Sequence, residues 1–147
     1  MNFLSETIIC LGIMGCTSLE DIPAKEVPSV VRNSFRTEFP DAIEIEWENE
    51  KENYEVEFEI NNVDYAVCFD KAGSLLMQKQ DIAADYLPIA VIKTLRQDFP
   101  NYEIDDVEMV KKEDATYYQL ELEGKLLDKN EIFSSDGQAT TEINYWE

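Results

Sequence analysis

The feature that most constrains this chain is an internal repeat. Ile22, Val27, Pro28, Phe39 and Pro40 recur as Ile82, Leu87, Pro88, Phe99 and Pro100, at a constant offset of 60. Tyr54, Val56, Phe58, Asp64, Phe69 and Gly73 recur as Tyr118, Leu120, Leu122, Asp128, Phe133 and Gly137, at an offset of 64. The second copy therefore carries four extra residues between its helix and its second strand. Two kept registers predict one small unit built twice, over residues 22–81 and 82–147, behind a separate segment 1–16.

Each copy opens as a helix. Pro28 and Pro88 suit the first turn, where a missing N–H costs nothing. Val31, Phe35 and Phe39, and then Val91, Leu95 and Phe99, fall at four-residue spacing and form an apolar stripe. Pro40 and Pro100 end the helices. Strands follow. Ile43, Ile45 and Trp47 alternate with Glu44, Glu46 and Glu48, and Tyr54, Val56, Phe58 and Ile60 with Glu55, Glu57 and Glu59. This period of two places apolar side chains inward and glutamates outward. Asn61-Asn62 reads as a tight turn, Val63 to Phe69 as a third strand, Asp70–Gly73 as a turn and Ser74–Gln80 as a fourth strand. The second copy predicts strands near 103–112, 116–123, 126–133 and 138–146. Lys129 and Glu131 stand at inward positions of its third strand, which a bulge after Gly124 explains. The simplest assembly is an α+β layer fold: tandem helix-plus-four-stranded antiparallel units, both helices on one sheet face. The opposite face is then exposed and acidic.

Pro at the helix start, Phe-Pro at its end, a Trp-containing strand, a Tyr-led alternating strand and Phe-Asp-x-x-Gly all occur in the first copy. Together they resemble the PepSY-like family of secreted bacterial proteins, whose fold is similar to the β-lactamase inhibitor protein. The resemblance spans Ile22 to Tyr145, and departs in the second copy where Val107 or Met109 stands for Trp47 and Ser134 for Asp70. It implies a periplasmic, non-enzymatic binding module, an inhibitor or protein-interaction domain, with calcium-responsive behaviour as the alternative. Its motifs are structural and carry no functional residue across.

Composition narrows the chemistry. With 32 acidic against 12 basic residues, a net charge of −20 repels phosphate backbones and disfavours nucleic acid. It suits cations, a basic protein partner or simple solubility. The chain has no His, which removes the commonest general base, His-assisted nucleophiles and imidazole metal ligation. The sequence holds neither a Gly-rich phosphate loop nor a nucleophile elbow, and no catalytic residue is expected. Carboxylate pairs are too abundant to signal glycoside chemistry.

The candidate binding residues are Glu44, Glu46, Glu48, Glu55, Glu57 and Glu59, which share one patch if their strands pair. Like charges facing one another across strands are unfavourable. A solvated face that resists aggregation is the commoner outcome of such a run. The functional reading is a basic partner or loosely held Ca²⁺, whose preference is for oxygen ligands. A dedicated calcium loop fails at Asp128-Lys129-Asn130-Glu131, because Phe133 stands where Gly is needed. Asp105-Asp106 is a weaker cation candidate. Trp47 is expected in the core, Trp146 either caps the core or anchors a partner, and Cys68 is an outward bystander.

Phe3 to Met14 is apolar and too short to span a bilayer as a mature helix. It resembles the core of a secretory signal, and Ile13-Met14-Gly15-Cys16 resembles a bacterial lipobox. Glu6 within it, and no Lys or Arg before it, depart from that pattern. The expectation is a cell-envelope protein, periplasmic or lipid-anchored through Cys16. Removal of this segment would leave Cys68 as the only other thiol, so stability is expected to come from packing and not from a disulfide within the chain.

Overall fold

Proline and phenylalanine bracket each helix. The computed structural model describes residues 20–146. Helix α1 spans Ser29–Glu38 and α2 spans Ile89–Asp98. Pro28 and Pro88 sit at the capping position, one residue ahead of the first turn, and their carbonyls accept from the Arg32 and Ile92 N–H at 3.1 Å. At the far ends the Phe39 and Phe99 N–H donate to the Phe35 and Leu95 carbonyls before Pro40 and Pro100 block continuation. A single 3-10 turn precedes each helix, Ala24–Glu26 and Ala84–Tyr86.

The strands are β1 Glu20–Asp21, β2 Ile43–Glu50, β3 Asn53–Ile60, β4 Val63–Asp70, β5 Leu75–Asp81, β6 Tyr102–Lys112, β7 Ala115–Gly124 and β8 Lys129–Ser134. They form one antiparallel sheet in chain order. The two halves meet at β5 and β6, paired from Met77↔Lys112 to Asp81↔Glu108. Both helices cover the same face. Val31, Phe35, Trp47, Val56, Phe58, Val67 and Phe69 pack beneath α1, and Val91, Leu95, Val107, Leu120, Leu122 and Phe133 beneath α2. Trp47 is buried, its ring edge-on to Phe35 at 5.3 Å. The architecture is α+β, as the residue pattern predicts.

The turns explain two glycines. Asp70 Oδ1 accepts from the Ala72 and Ser74 N–H at 2.9 and 2.8 Å, closing the turn in which Gly73 has φ +84°. Gly137 repeats this at φ +85°. A Cβ there would lie 2.6 Å from the Ala90 carbonyl, so glycine lets the turn rest on α2. Asn61 and Asn62, both at positive φ, make the tight turn expected between β3 and β4.

Four expectations need correction. Ile43 and Ile45 are not inward but 53% and 44% exposed. A register shift between Ile43 and Glu46, with Glu44 at φ +52°, turns this stretch outward before Trp47 re-enters the core. There is no bulge after Gly124, since β7 and β8 pair without a break from Tyr117↔Ser134 to Leu122↔Lys129. Lys129 is accommodated because its ammonium lies over the Phe99 and Tyr102 rings, at 5.6 and 5.8 Å. Residues 138–146 make only one bridge, Phe133↔Ala139, and then leave the sheet. Because they cross the helix-free face, that face is not uniformly exposed. Segment 1–16 and Cys16 lie outside the described residues.

Candidate interaction face

The helix-free face has two parts, one acidic and one covered. In the acidic part, Glu46 stands directly opposite Glu57 and Glu48 opposite Glu55. Glu44 and Glu59 join Glu46 and Glu57 around a cleft of about 350 Å³, with Asp64 and Asp81 on its other wall. Four of the six predicted glutamates thus share this cleft, and Glu48 lies half-buried outside it. Glu55 is buried, 2% exposed, beneath the segment that follows β8. Burial, and after it the hydrogen bond to Trp146 that opposes it, leave the Glu55 carboxyl pushed up to about 7. Glu48 is also raised, by burial first and then by the Glu57 and Asp21 charges. Its Oε2 is buried.

The covered part was not foreseen. After Thr140, whose N–H donates to the Ile132 carbonyl at 2.9 Å, the chain turns across β7, β6 and β5. Ile143 and Trp146 pack on Ala66, Cys68, Val110, Tyr117 and Ile132. Cys68 is therefore buried although it lies on the outward register. Gln119, fully buried, holds Trp146 by its main chain: Oε1 accepts from the Trp146 N–H at 3.1 Å and Nε2 donates to its carbonyl at 2.7 Å. Lys79 Nζ donates to the same carbonyl at 3.0 Å and pairs with Glu108 at 2.8 Å. Gln119 Nε2 also donates to Glu108. The Trp146 indole N–H donates to Glu55 Oε1 at 2.7 Å. Two carboxylates and one ammonium are thus withdrawn from water, tolerable only because each is hydrogen-bonded. Of the two readings of Trp146, the cap is the observed one.

Next to this network Asp81, Asp106 and Glu108 bring carboxylate oxygens within 4.8 Å of one another. Asp81 is pushed up to about 6, by burial first and then by Asp106 and Glu108. Sequence reasoning singled out Asp106 but not its partners. The offset of 60 that relates Asp21 to Asp81 and Glu48 to Glu108 was the signal that could have found them.

The profile of the family described as "Putative beta-lactamase-inhibitor-like, PepSY-like" matches residues 16–77 and again residues 61–139. No curated protein matches. Among solved structures, a "putative periplasmic" protein from Bacteroides eggerthii is 20% identical with a TM-score of 0.72, over 77% of this chain and 85% of its own. A DUF2874 family protein from Bacteroides uniformis gives 21% and 0.70, over 76% and 85%. A BLIP-like protein from Bacteroides fragilis gives 21% and 0.65, over 77% and 82%. These likenesses establish the fold. No helix among the described residues is long and apolar enough to cross a membrane.

Proposed function

Because this chain belongs to the PepSY-like, beta-lactamase-inhibitor-like family, we propose that it is a non-enzymatic binding module of the cell envelope, built from two copies of one unit. Its ligand is a basic protein or peptide, and an inhibitory role fits the same surface. The observation that carries this reading is the acidic cleft on the helix-free face, where Glu44, Glu46, Glu57 and Glu59 converge with Asp64 and Asp81. Carboxylates held face to face across β2 and β3 repel one another. A basic partner relieves that repulsion, and net negative potential speeds its arrival. That the family profile matches twice, over residues 16–77 and 61–139, supports the duplication. The periplasmic description of one structural neighbour supports an envelope location, with Cys16 as the anchor if the lipobox is processed.

The test is capture from an envelope extract by the wild-type chain and by a variant with Glu46, Glu57 and Glu59 changed to Gln. A specific protein retained by the first and lost by the second is the expected result. Equal capture by both would remove the acidic face from the reading.

A second reading, a calcium-responsive protein, is favoured by the convergence of Asp81, Asp106 and Glu108 rather than by the outer glutamates. Thermal melts in Ca²⁺, Mg²⁺ and Na⁺ at matched ionic strength separate the two. A rise of several degrees specific to Ca²⁺, abolished by Asp106→Asn, is expected of a folded-state site. Equal responses to the three cations mean screening alone.

A further inference from the structure

The segment that crosses the helix-free face rests on polar groups that the sheet's own side chains hold in place. The Lys79–Glu108 ion pair and the Gln119–Glu108 hydrogen bond are formed among β5, β6 and β7. They fix Lys79 Nζ and the Gln119 amide in place to take both main-chain polar groups of one residue. Glu55, on β3, offers an acceptor for an indole N–H. Between them lies an apolar floor of Ala66, Cys68, Val110 and Ile132. We infer that this is a peptide-docking site, filled in cis by residues 143–146, whose ligand in trans is an extended segment carrying an apolar residue three positions before a tryptophan. The inference rests on the reading of the chain as a binding module, and names the site and ligand for it.

Two observations separate this from ordinary core packing. Beyond Thr140 the occupying segment is held by side chains, not by a strand ladder: Tyr117 Oη donates to Glu142, Tyr145 Oη to Glu121, and the rest passes through Trp146. Release breaks these contacts and lifts Ile143 and Trp146 off the apolar floor, but leaves every strand paired. An open cleft of about 350 Å³, lined by Asp106, Glu108 and Glu121 among others, also adjoins Trp146. The native segment brings Tyr145 there, while a ligand with a basic residue in its place is matched to the cleft by charge. The cis occupant competes at the high effective concentration of a short tether. A free ligand binds the wild-type chain weakly until it outmatches that occupant.

The probe is a fluorescein-labelled peptide with the sequence of residues 138–146, Gln-Ala-Thr-Thr-Glu-Ile-Asn-Tyr-Trp. It is titrated by anisotropy into the full wild-type chain and into its Trp146→Ala and Trp146→Phe variants, whose folding is checked by circular dichroism. Saturable binding to either folded variant, at least about tenfold tighter than to wild type, is the expected result. Changing the peptide's Tyr to Arg tightens binding further in a salt-sensitive way, and adding Lys79→Met with Gln119→Leu to the receptor abolishes it. A folded Trp146→Phe chain that binds no peptide, or equal binding to all three chains, overturns the site. If the peptide binds as expected but no envelope partner is captured, the site stands and the proposed function fails. If a partner is captured equally by wild type and by the Lys79→Met, Gln119→Leu chain, the function stands and this site is not its seat.

Discussion

Glu55 and Asp81 carry protons more tightly in the fold than in a free chain, and this fixes the sign of their pH effect. Their carboxyls are raised from ordinary values of 4.5 and 3.8 to about 7 and about 6. Between those limits the folded state binds more protons than the unfolded one, so stability falls as pH rises. Their contribution is full below the ordinary values and lost once pH passes about 7. Asp70 and Asp136 are lowered by hydrogen bonds from their own turns and act in the opposite direction, but only below 3.8. The thermal midpoint is therefore expected to drop from pH 5 to pH 7.5 at constant ionic strength. Glu55→Gln should flatten the upper part of that slope and Asp81→Asn the lower. A midpoint that rises over this range contradicts the assignment. At Gly137, alanine meets both a left-handed backbone and the Ala90 carbonyl, so Gly137→Ala should cost more than about 1 kcal/mol in urea unfolding.

At the scale of elements, paired strands put glutamate against glutamate. Glu46→Lys opposite Glu57 replaces repulsion by attraction and should raise stability by roughly 0.2–1 kcal/mol, less at high salt. No gain at low salt would mean that solvent already screens the pair. The elements themselves were largely legible in the sequence. Proline brackets and four-residue spacing gave both helices, and strict alternation gave β3 and β4 their faces. The beginning of β2 was not legible, because a bulge changes the facing of Ile43 and Ile45 without changing the residue pattern. The segment after β8 was misread as a strand because alternation does not say whether a neighbouring edge accepts it. The acidic patch was legible as a run of charges. The network of Glu55, Lys79, Gln119 and Trp146 was not, since it joins residues up to 91 positions apart.

The whole molecule is one sheet, and the seam between β5 and β6 decides how it fails. Unfolding either half exposes the other's edge strand and the apolar floor that both halves build with Ala66 and Cys68 on one side and Val110, Tyr117 and Ile132 on the other. One cooperative transition is expected, despite the duplication. Phe58→Ala in the first half and Leu120→Ala in the second should each lower that same transition, by about 3–5 and 2–5 kcal/mol. Two resolved steps, each sensitive to one substitution only, would show that the halves are independent.

Strand order has a kinetic consequence. Each described strand pairs with its neighbour in the chain, so five of the seven pairings close across turns or short connections and two span a helix. Little loop entropy stands between the unfolded chain and its first hairpins, and such low contact order favours rapid refolding for a protein this rich in β-structure. The contact from Trp146 to Glu55 is the opposite case, a long closure that gains nothing until the sheet beneath it exists. The floor beneath Ile143 and Trp146 is therefore expected to be the last apolar surface to lose its water as the chain refolds.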